Sequence, residues 1–355
     1  MIDNLQFTVE KTRESRLSSI DFDNLGFGKI FSDHMFVAEY ANGRWASARI
    51  APFQGLNFSP AAAVFHYGQA IFEGLKAYKN RRGEVVLFRP EENWKMLNRS
   101  AERMCMQKVP KEYFVDAIKE LVKIDEAWIP EGEGKSLYIR PFLVASDSML
   151  GVRASDSYQF IIITSPTSTY YSGAVSVKIE NHFSRAAQGG IGAAKAAANY
   201  AASLLPAQRA KEEGFDQLIW TDAKEHRYIE ESGTMNLMVV QEGKILTPSL
   251  DSNTILPGIT RDSILTLARD WNYEVEERKI SVEELIQGLK NKSITELFGV
   301  GTAATIAPIK SIGYGEEVYE IKNFQDWPFA QRAKKYLEDL RMGLEEDPYG
   351  WVIKA

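Results

Sequence analysis

Polar and apolar residues alternate along several segments of the chain, and this period of two predicts β-strands. Residues 36–50, FVAEYANGRWASARI, predict a hairpin that turns at Asn42-Gly43. Similar patterns, rich in β-branched and aromatic residues, predict further strands in SLYIRPFLVA, YQFIIITSP, FDQLIW, RYI, NLMVV, KILTP and ITELFGV.

Other segments carry apolar residues at helical spacing. In residues 89–104, the side chains of Trp94, Leu97 and Ala101 fall on one face of a helix. Helices are predicted for RPEENWKMLNRSAERM, SLLPAQRAKEEG, SILTLARDW and PFAQRAKKYLEDLRMGL. The mixture of helices and strands predicts a fold of the α/β (α+β) class.

The length of 355 residues exceeds what one compact core supports, so we expect two domains. Residues 165–174, SPTSTYYSGA, are rich in Ser, Thr, Pro and Gly and are the expected interdomain linker. This places a smaller N-terminal domain at 1–164 and a larger C-terminal domain, carrying Lys195, at 175–355.

Composition excludes several classes of function. Acidic residues number 48 against 42 lysines and arginines, and the net charge of −6 gives no footprint for nucleic acid. Cys105 is the only cysteine and the four histidines lie far apart, so the sequence has no metal-ligand spacing. No apolar run reaches the roughly 20 residues of a membrane span, and the N-terminus does not resemble a secretory signal. We expect a cytoplasmic protein whose partner is a small molecule.

Lys195 lies in GGIGAAKAAANY, where every neighbour from Ala193 to Ala198 is an alanine. A lysine forms a Schiff base with a carbonyl only as the free amine, which burial among small residues favours. Small neighbours also let a flat aromatic ring lie against the backbone. The alternative is a helix contact rich in Gly and Ala that carries an incidental lysine.

Two segments have features of a phosphate cradle. In LPGITRDSIL, Pro257-Gly258 turns the chain directly into a helix, so the amides of Ile259 and Thr260 lie at a positive dipole end. In FGVGTAATIAP, a strand breaks at Gly301 and Thr302 adds a hydroxyl. Each segment alone is also typical of an ordinary helix start or strand end.

Glu231 precedes the Gly-Thr turn in EESGTMN. An acid at this place either faces solvent or meets a ring nitrogen and keeps it protonated, as pyridoxal chemistry requires. Lysine, phosphate cradle and ring acid together indicate pyridoxal 5'-phosphate.

These motifs occur in an order that resembles the branched-chain amino acid aminotransferases, which are fold-type IV (class IV) pyridoxal phosphate enzymes. The markers are FGKIFSDHM, HYGQAIFEGLKAY, LFRPEENW, SLYIRP, LGV, GGIGAAKAAANY, EESGTMN, LPGITR and GTAA. The resemblance implies two α/β domains with the cofactor at their interface, and a homodimer. It also implies ping-pong transfer of the amino group between leucine, isoleucine or valine and 2-oxoglutarate.

For the cofactor, the resemblance implies that Lys195 forms the Schiff base and moves the proton. Tyr200 is expected to bond the phenolic oxygen of the cofactor, and Glu231 its ring nitrogen. The residues matching the phosphate cradle are Ile259, Thr260 and Thr302.

One position departs from the family pattern. Met96 stands where relatives commonly have a phosphate-binding arginine. Cofactor retention should weaken unless Arg99 or Lys95 substitutes, and the sequence leaves both open.

For the substrate, the resemblance implies an apolar pocket with one arginine at its edge. Arg140, with Tyr67, is expected to hold the distal carboxylate of glutamate, because an arginine binds carboxylate bidentately. Val152 matches a residue that the partner subunit lends to the pocket. The remaining residues expected in the pocket are Phe27, Phe72, Tyr138, Tyr170, Thr234, Thr302 and Ala303.

Other functions remain open on the sequence. Within the fold they are a D-amino acid or (R)-amine transaminase and an aminodeoxychorismate lyase, although SLYIRP and HYGQAIFEG favour the branched-chain enzymes. A cofactor-free Schiff-base aldolase is a different class, which a yellow colour bleached by borohydride would exclude. A non-catalytic interaction module would leave the ordered motifs unexplained.

Overall fold

The computed structural model describes residues 7–132, 134–168 and 173–355. The chain forms two compact units. The first contains Met1–Tyr170, Ala194–Ala198 and Glu338–Ala355, and the second contains Tyr171–Ala193 and Asn199–Leu337. The short segment that carries Lys195 therefore clusters with the first unit, while the domain limits expected from the sequence stay a prediction.

The first unit begins with a sheet and three α-helices. Its strands are β1 (Thr8–Val9), β2 (His34–Ala41), β3 (Arg44–Pro52), β4 (Ala70–Phe72), β5 (Leu75–Lys79), β6 (Val85–Phe88), β7 (Ser136–Ala145) and β8 (Tyr158–Thr167). Its helices are α1 (Ala63–Tyr67), α2 (Pro90–Arg103) and α3 (Ala117–Ile124), and the π-helical turn Glu112–Asp116 leads into α3.

Strands in this sheet follow the order β1-β3-β2-β8-β7-β5-β6, with β4 also pairing β7. The pairing of β1 with β3 is parallel, and the pairings of β2 to β8 with one another are antiparallel. The predicted hairpin is confirmed, with Asn42 and Gly43 at φ of 53° and 78° between β2 and β3. These positive angles are the ones that a tight two-residue hairpin turn requires.

The second unit contains the next nine strands. They are β9 (Val175–Ile179), β10 (Gln217–Thr221), β11 (Ile229–Ser232), β12 (Met235–Gln241), β13 (Lys244–Pro248), β14 (Val275–Arg278), β15 (Ile294–Gly301), β16 (Thr305–Tyr314) and β17 (Glu317–Glu320). The helices that follow α3 along the chain are α4 (Ala197–Ala202), α5 (Leu204–Glu212), α6 (Ile259–Asp270), α7 (Val282–Lys290) and α8 (Pro328–Met342).

The second sheet has the order β11-β10-β9-β16-β15-β12-β13-β14, and β11 also pairs β12. That last pairing sets Glu231 opposite Asn236. After α8 the chain returns to the first sheet, where β18 (Val352–Lys354) pairs antiparallel with β6.

Helices and strands expected from the sequence patterns are present, which confirms the α/β (α+β) class. Two boundaries differ. The strand expected at RYI begins only at Ile229 and continues to Ser232. β8 continues to Thr167, so the first residues of the expected linker belong to a strand in which Ser165 and Thr167 are buried. Residues 169–172 of that linker lie outside the described residues. Within the described ranges, no helix has the length and hydropathy of a membrane span.

Candidate active site

Lys195 is held through its backbone by elements of the first unit. Its amide donates to Ser100 Oγ at 2.9 Å, and its carbonyl accepts from the amide of Phe72 at 3.1 Å. The next residue, Ala196, forms an antiparallel bridge with Ile71. The segment around Lys195 thus lies along β4 and is fixed by α2, and the lysine is half-buried.

The ring of Phe72 contacts two cations. Lys195 Nζ lies 5.3 Å from its centroid, and the guanidinium carbon of Arg140 lies 4.4 Å from it. Both are within the range of cation–π attraction. Arg140 Nη2 donates to Tyr138 Oη at 2.8 Å, which fixes the direction of the guanidinium. A lysine amine and an arginine guanidinium therefore contact the same aromatic ring.

An apolar wall accompanies these cations. Tyr138 packs edge-on against Phe27, with 4.9 Å between the ring centroids. Gly74 makes room for this arrangement, because a Cβ at that position would overlap Tyr138 Oη. Phe27, Phe72, Tyr138 and Arg140, all expected in the substrate pocket, are brought together in the first unit.

Glu73 also belongs to this group, although the sequence analysis missed it. The side chain is 1% exposed, its Oε2 accepts from Asn93 Nδ2 at 2.9 Å, and Oε1 has no hydrogen-bond partner among the described residues. Burial raises the pKa of the Glu73 carboxyl to about 7, and the nearby charge of Lys195 limits the rise in pKa. The available signal was an acid within the apolar stretch AIFEGL.

In the second unit, Glu231 is 4% exposed and firmly held. Its Oε2 lies 3.0 Å from Arg185 Nε, and its Oε1 accepts from the amide of Leu256 at 2.8 Å and from Asn236 Nδ2 at 3.4 Å. Arg185 is itself held by a hydrogen bond from Nη2 to the carbonyl of Thr254. A guanidinium and a backbone amide both favour the ionised carboxylate. The sequence analysis missed Arg185.

The expected phosphate segment starts a helix, as predicted. Helix α6 begins at Ile259 with extended Gly258 as its N-cap, and no side chain caps it. Gly258 is needed here because a Cβ would overlap Asn236 Oδ1. Thr260 is buried in the first turn. An N-terminus of this kind, with its dipole and backbone amides, is suited to an anion.

The other expected residues of the second unit are spread over two turns and one helix. β15 ends at Gly301, and Thr302 and Ala303 form the half-buried turn that leads to β16. Thr234 is exposed in the turn between β11 and β12, and a Cβ on Gly301 would come within 3.7 Å of its carbonyl oxygen. Tyr200 is half-buried in α4. Tyr170 lies outside the described residues.

Two expected pocket residues of the first unit are exposed. Val152 is 90% exposed and Tyr67 is 42% exposed. Phe65 and Leu150, close to them in sequence, are also more than half exposed. These large apolar side chains lie at the surface of the described chain rather than in its core.

The buried face of α2 carries no arginine or lysine that could replace the phosphate-binding arginine expected at position 96. Met96 is 4% exposed, whereas Lys95 and Arg99 are not buried with it. Lys95 instead forms an ion pair with Glu92 at 2.7 Å. Ser100, which is buried on the same side of α2 as Met96, accepts the hydrogen bond from the Lys195 amide. Whether Arg99 binds the cofactor stays a prediction.

Known proteins of one family are similar to this chain. A family model described as amino-transferase class IV matches residues 70–312. A probable branched-chain-amino-acid aminotransferase from Staphylococcus epidermidis is 45% identical over 348 residues, which cover 97% of each chain. The crystal structure of the Escherichia coli branched-chain amino acid aminotransferase is 27% identical with a TM-score of 0.74, covering 90% of this chain and 98% of its own. The crystal structure of a T.th. branched-chain amino acid aminotransferase complexed with N-(5'-phosphopyridoxyl)-L-glutamate is 25% identical with a TM-score of 0.72, covering 89% and 97%.

Proposed function

The chain belongs to the class IV aminotransferases, and we propose that it moves the amino group between branched-chain L-amino acids and 2-oxoglutarate. Family membership and the shared fold confirm the expected enzyme class and fold-type IV architecture. They argue against a cofactor-free aldolase and an interaction module. The observation that carries the substrate proposal is the pair of cations on Phe72, an amine for reaction and a guanidinium for a carboxylate.

Pyridoxal 5'-phosphate is the cofactor that these residues fit. Lys195 would bind its aldehyde, Glu231 its ring nitrogen, and the uncapped start of α6, with Thr302, its phosphate. The phosphopyridoxyl ligand in the complex of the T.th. relative supports this choice. When bound, the cofactor supplies an aldehyde that accepts the amino group and a ring that withdraws electrons.

Each side chain has a separate task in this proposal. Lys195 would accept a proton from the substrate's α-carbon at Nζ and deliver it to the cofactor carbon that bore the aldehyde, which requires a free amine. Glu231, paired with Arg185, would hold the ring nitrogen of the cofactor in its protonated form. Arg140 binds the distal carboxylate of glutamate or 2-oxoglutarate. The rings of Phe27, Phe72 and Tyr138 exclude water and accept an aliphatic side chain, so one pocket takes both substrates.

Borohydride reduction of the purified protein tests the role of Lys195. We expect the yellow colour to bleach and the peptide map to show the added mass at residue 195. A label on another lysine would overturn the assignment. A panel of leucine, isoleucine, valine, D-alanine and 1-phenylethylamine then tests the substrate class, and turnover of only the last two would favour the D-amino acid or (R)-amine alternative.

A homodimer is part of the proposal. The exposed side chains of Phe65, Tyr67, Leu150 and Val152 form an apolar set that a second copy would cover, with Val152 lent to the partner's pocket. Sedimentation should give twice the chain mass, and Val152→Asp should weaken the association. A monomeric wild-type enzyme with full activity would contradict it. We also propose a cytoplasmic location, which cell fractionation tests.

A further inference from the structure

Asn236 of β12 lies among the segments that the proposed cofactor site uses, although the proposed chemistry gives it no task. In the second sheet it stands opposite Glu231 of β11 on one side and opposite Val300 of β15, which leads to Thr302, on the other. Residues directly opposite one another in adjacent strands carry their side chains on the same face of the sheet. Asn236 is 6% exposed, so its amide group is buried on the same face as the carboxyl of Glu231.

The side-chain nitrogen of Asn236 donates to two groups, as an amide with two N–H bonds can. Nδ2 lies 2.9 Å from the carbonyl oxygen of Leu256 and 3.4 Å from Glu231 Oε1. The backbone amide of Leu256 donates to the same Glu231 oxygen at 2.8 Å. Glu231, Asn236 and Leu256 therefore form a hydrogen-bonded triangle, in which each residue is bonded to the other two.

Leu256 links this triangle to the start of α6. Only Pro257 and Gly258 separate it from Ile259, the first residue of the helix. Proline fixes its own φ angle, and Gly258 is extended, with φ of −65° and ψ of 137°. Asn236 Oδ1 packs so closely against Gly258 that a Cβ there would overlap it. One buried side chain thus contacts both the carboxyl expected at the ring nitrogen and the entry to the helix expected at the phosphate.

We propose that Asn236 is a positioning residue that sets the distance between the two ends of the cofactor site. The inference rests on the proposed function in taking Glu231 as the partner of the ring nitrogen and the start of α6 as the phosphate site. Pyridoxal 5'-phosphate joins these two groups covalently, so both contacts form together only if the protein holds their partners at a matching spacing. A loosened spacing leaves each contact available singly and weakens their combination.

Loss of the Asn236 side chain should spare both contacts taken one at a time. Glu231 keeps its ion pair with Arg185 and the hydrogen bond from the Leu256 amide. The backbone amides in the first turn of α6 still lie at a helix N-terminus, which suits an anion without help from Asn236. A purely structural role, by contrast, would weaken the binding of every ligand of the site to a similar degree.

Binding of three ligands to the full-length apoprotein separates these two roles. Dissociation constants are measured in wild type and Asn236→Ala for pyridoxal 5'-phosphate and for pyridoxal, which lacks the phosphate, by tryptophan fluorescence, and for inorganic phosphate by phosphorus NMR. We expect the affinity for pyridoxal 5'-phosphate to fall roughly 10- to 100-fold, while the other two affinities change by less than about threefold. Equal losses for all three ligands, or no loss for pyridoxal 5'-phosphate, would overturn the proposal.

Thr247→Val is the matched control. Thr247 of β13 is fully buried, and its Oγ1 donates at 2.8 Å to the carbonyl of Leu237, which follows Asn236 in β12. The variant therefore removes one buried hydrogen bond to the same strand and keeps the three bonds of the triangle. The ratio of the dissociation constants of pyridoxal and pyridoxal 5'-phosphate should stay at its wild-type value. An equal change of this ratio in both variants would show a general loosening of the sheet and would overturn the specific role of Asn236.

Gly258→Ala covers the case in which Asn236→Ala fails to fold. Its Cβ would meet Asn236 Oδ1 and displace the side chain without removing it. The same ratio should fall, and a wild-type ratio in the folded Gly258→Ala variant would overturn the proposal. Borohydride labelling of the wild-type holoenzyme stays independent, because a label away from residue 195 refutes the proposed function whatever the ratio is in the variants.

Discussion

Glu73 and Glu231 are both buried glutamates, one in each compact unit, but their surroundings differ. Glu231 has a guanidinium on one oxygen and a backbone amide on the other. Glu73 has a neutral amide on Oε2 and no hydrogen-bond partner for Oε1 among the described residues. The first arrangement favours the ionised carboxylate, whereas burial raises the pKa of Glu73 to about 7, so the charge of Glu73 depends on a proton.

This difference matches two kinds of chemical task. A protonated ring nitrogen needs a partner whose charge stays constant throughout the reaction. A carboxyl whose pKa lies near 7 gains and loses its proton in the neutral range, so Glu73 cannot supply such a constant charge. The two acids are therefore not interchangeable, and substitutions should separate them.

Replacing Lys195 should have the largest effect, because it removes the amine that is proposed to form the Schiff base. For Lys195→Ala we expect a colourless protein without measurable transamination, since neither the covalent bond nor the proton transfer remains. Absorbance and a leucine–2-oxoglutarate assay measure this. Wild-type turnover in the variant would remove Lys195 from the mechanism.

Replacing Glu231, the carboxylate paired with Arg185, should have the second-largest effect. For Glu231→Gln we expect the first half-reaction with leucine to slow by roughly 100- to 1,000-fold, with the cofactor still bound, because the ring nitrogen loses its anionic partner. Single-turnover absorbance measures the rate. Glu230→Gln is the control, since this neighbouring buried acid bonds Thr254 instead. Equal rates in the two variants would contradict a special role for Glu231.

Arg140→Ala tests the carboxylate-binding role that is proposed for a residue of the first unit. Removing a half-buried charge that binds carboxylate should lower kcat/KM for 2-oxoglutarate and glutamate by roughly 100-fold, and that for leucine much less. Tyr138→Phe, which only removes the hydroxyl that Arg140 bonds, should give a smaller change in the same direction. Equal losses for glutamate and leucine would exclude Arg140 from carboxylate recognition.

Local patterns were sufficient to predict the elements that carry the site. Asn42-Gly43 indicated a hairpin, Pro257-Gly258 the start of α6, and Gly301 the end of β15, because each depends on a few adjacent residues. A single sequence could not show that Lys195 is bonded to Ser100 and Phe72, which are far from it along the chain.

Glu73 and Arg185 were missed for a related reason. A glutamate in a sequence is normally solvated, and only its tertiary surroundings reveal that AIFEGL buries one. Arg185 is important because it forms an ion pair with Glu231, which lies in a distant part of the sequence.

The smallest expected effect is the contribution of Glu73 to the pH dependence of stability. Its pKa rises from 4.5 to about 7 on folding, so the folded apoprotein binds more protons than the unfolded chain between these values. The free energy of unfolding should therefore fall as pH rises from 4.5 to 7, by at most about 3 kcal/mol at 1.36 kcal/mol per unit. Urea unfolding at several pH values measures this fall, which Glu73→Gln should remove.

Lys76, a half-buried lysine of the first unit, gives the opposite behaviour and serves as the internal reference. Burial lowers its pKa from 10.5 to about 7, with Arg341 adding to the effect, so the unfolded chain binds more protons between pH 7 and 10.5. Its contribution to stability should rise with pH in that window, and Lys76→Met should abolish this rise alone. The two pH windows meet near pH 7 without overlapping. If Glu73→Gln removed the pH dependence of stability above pH 7 instead, the assignment of the acidic window to Glu73 would be wrong.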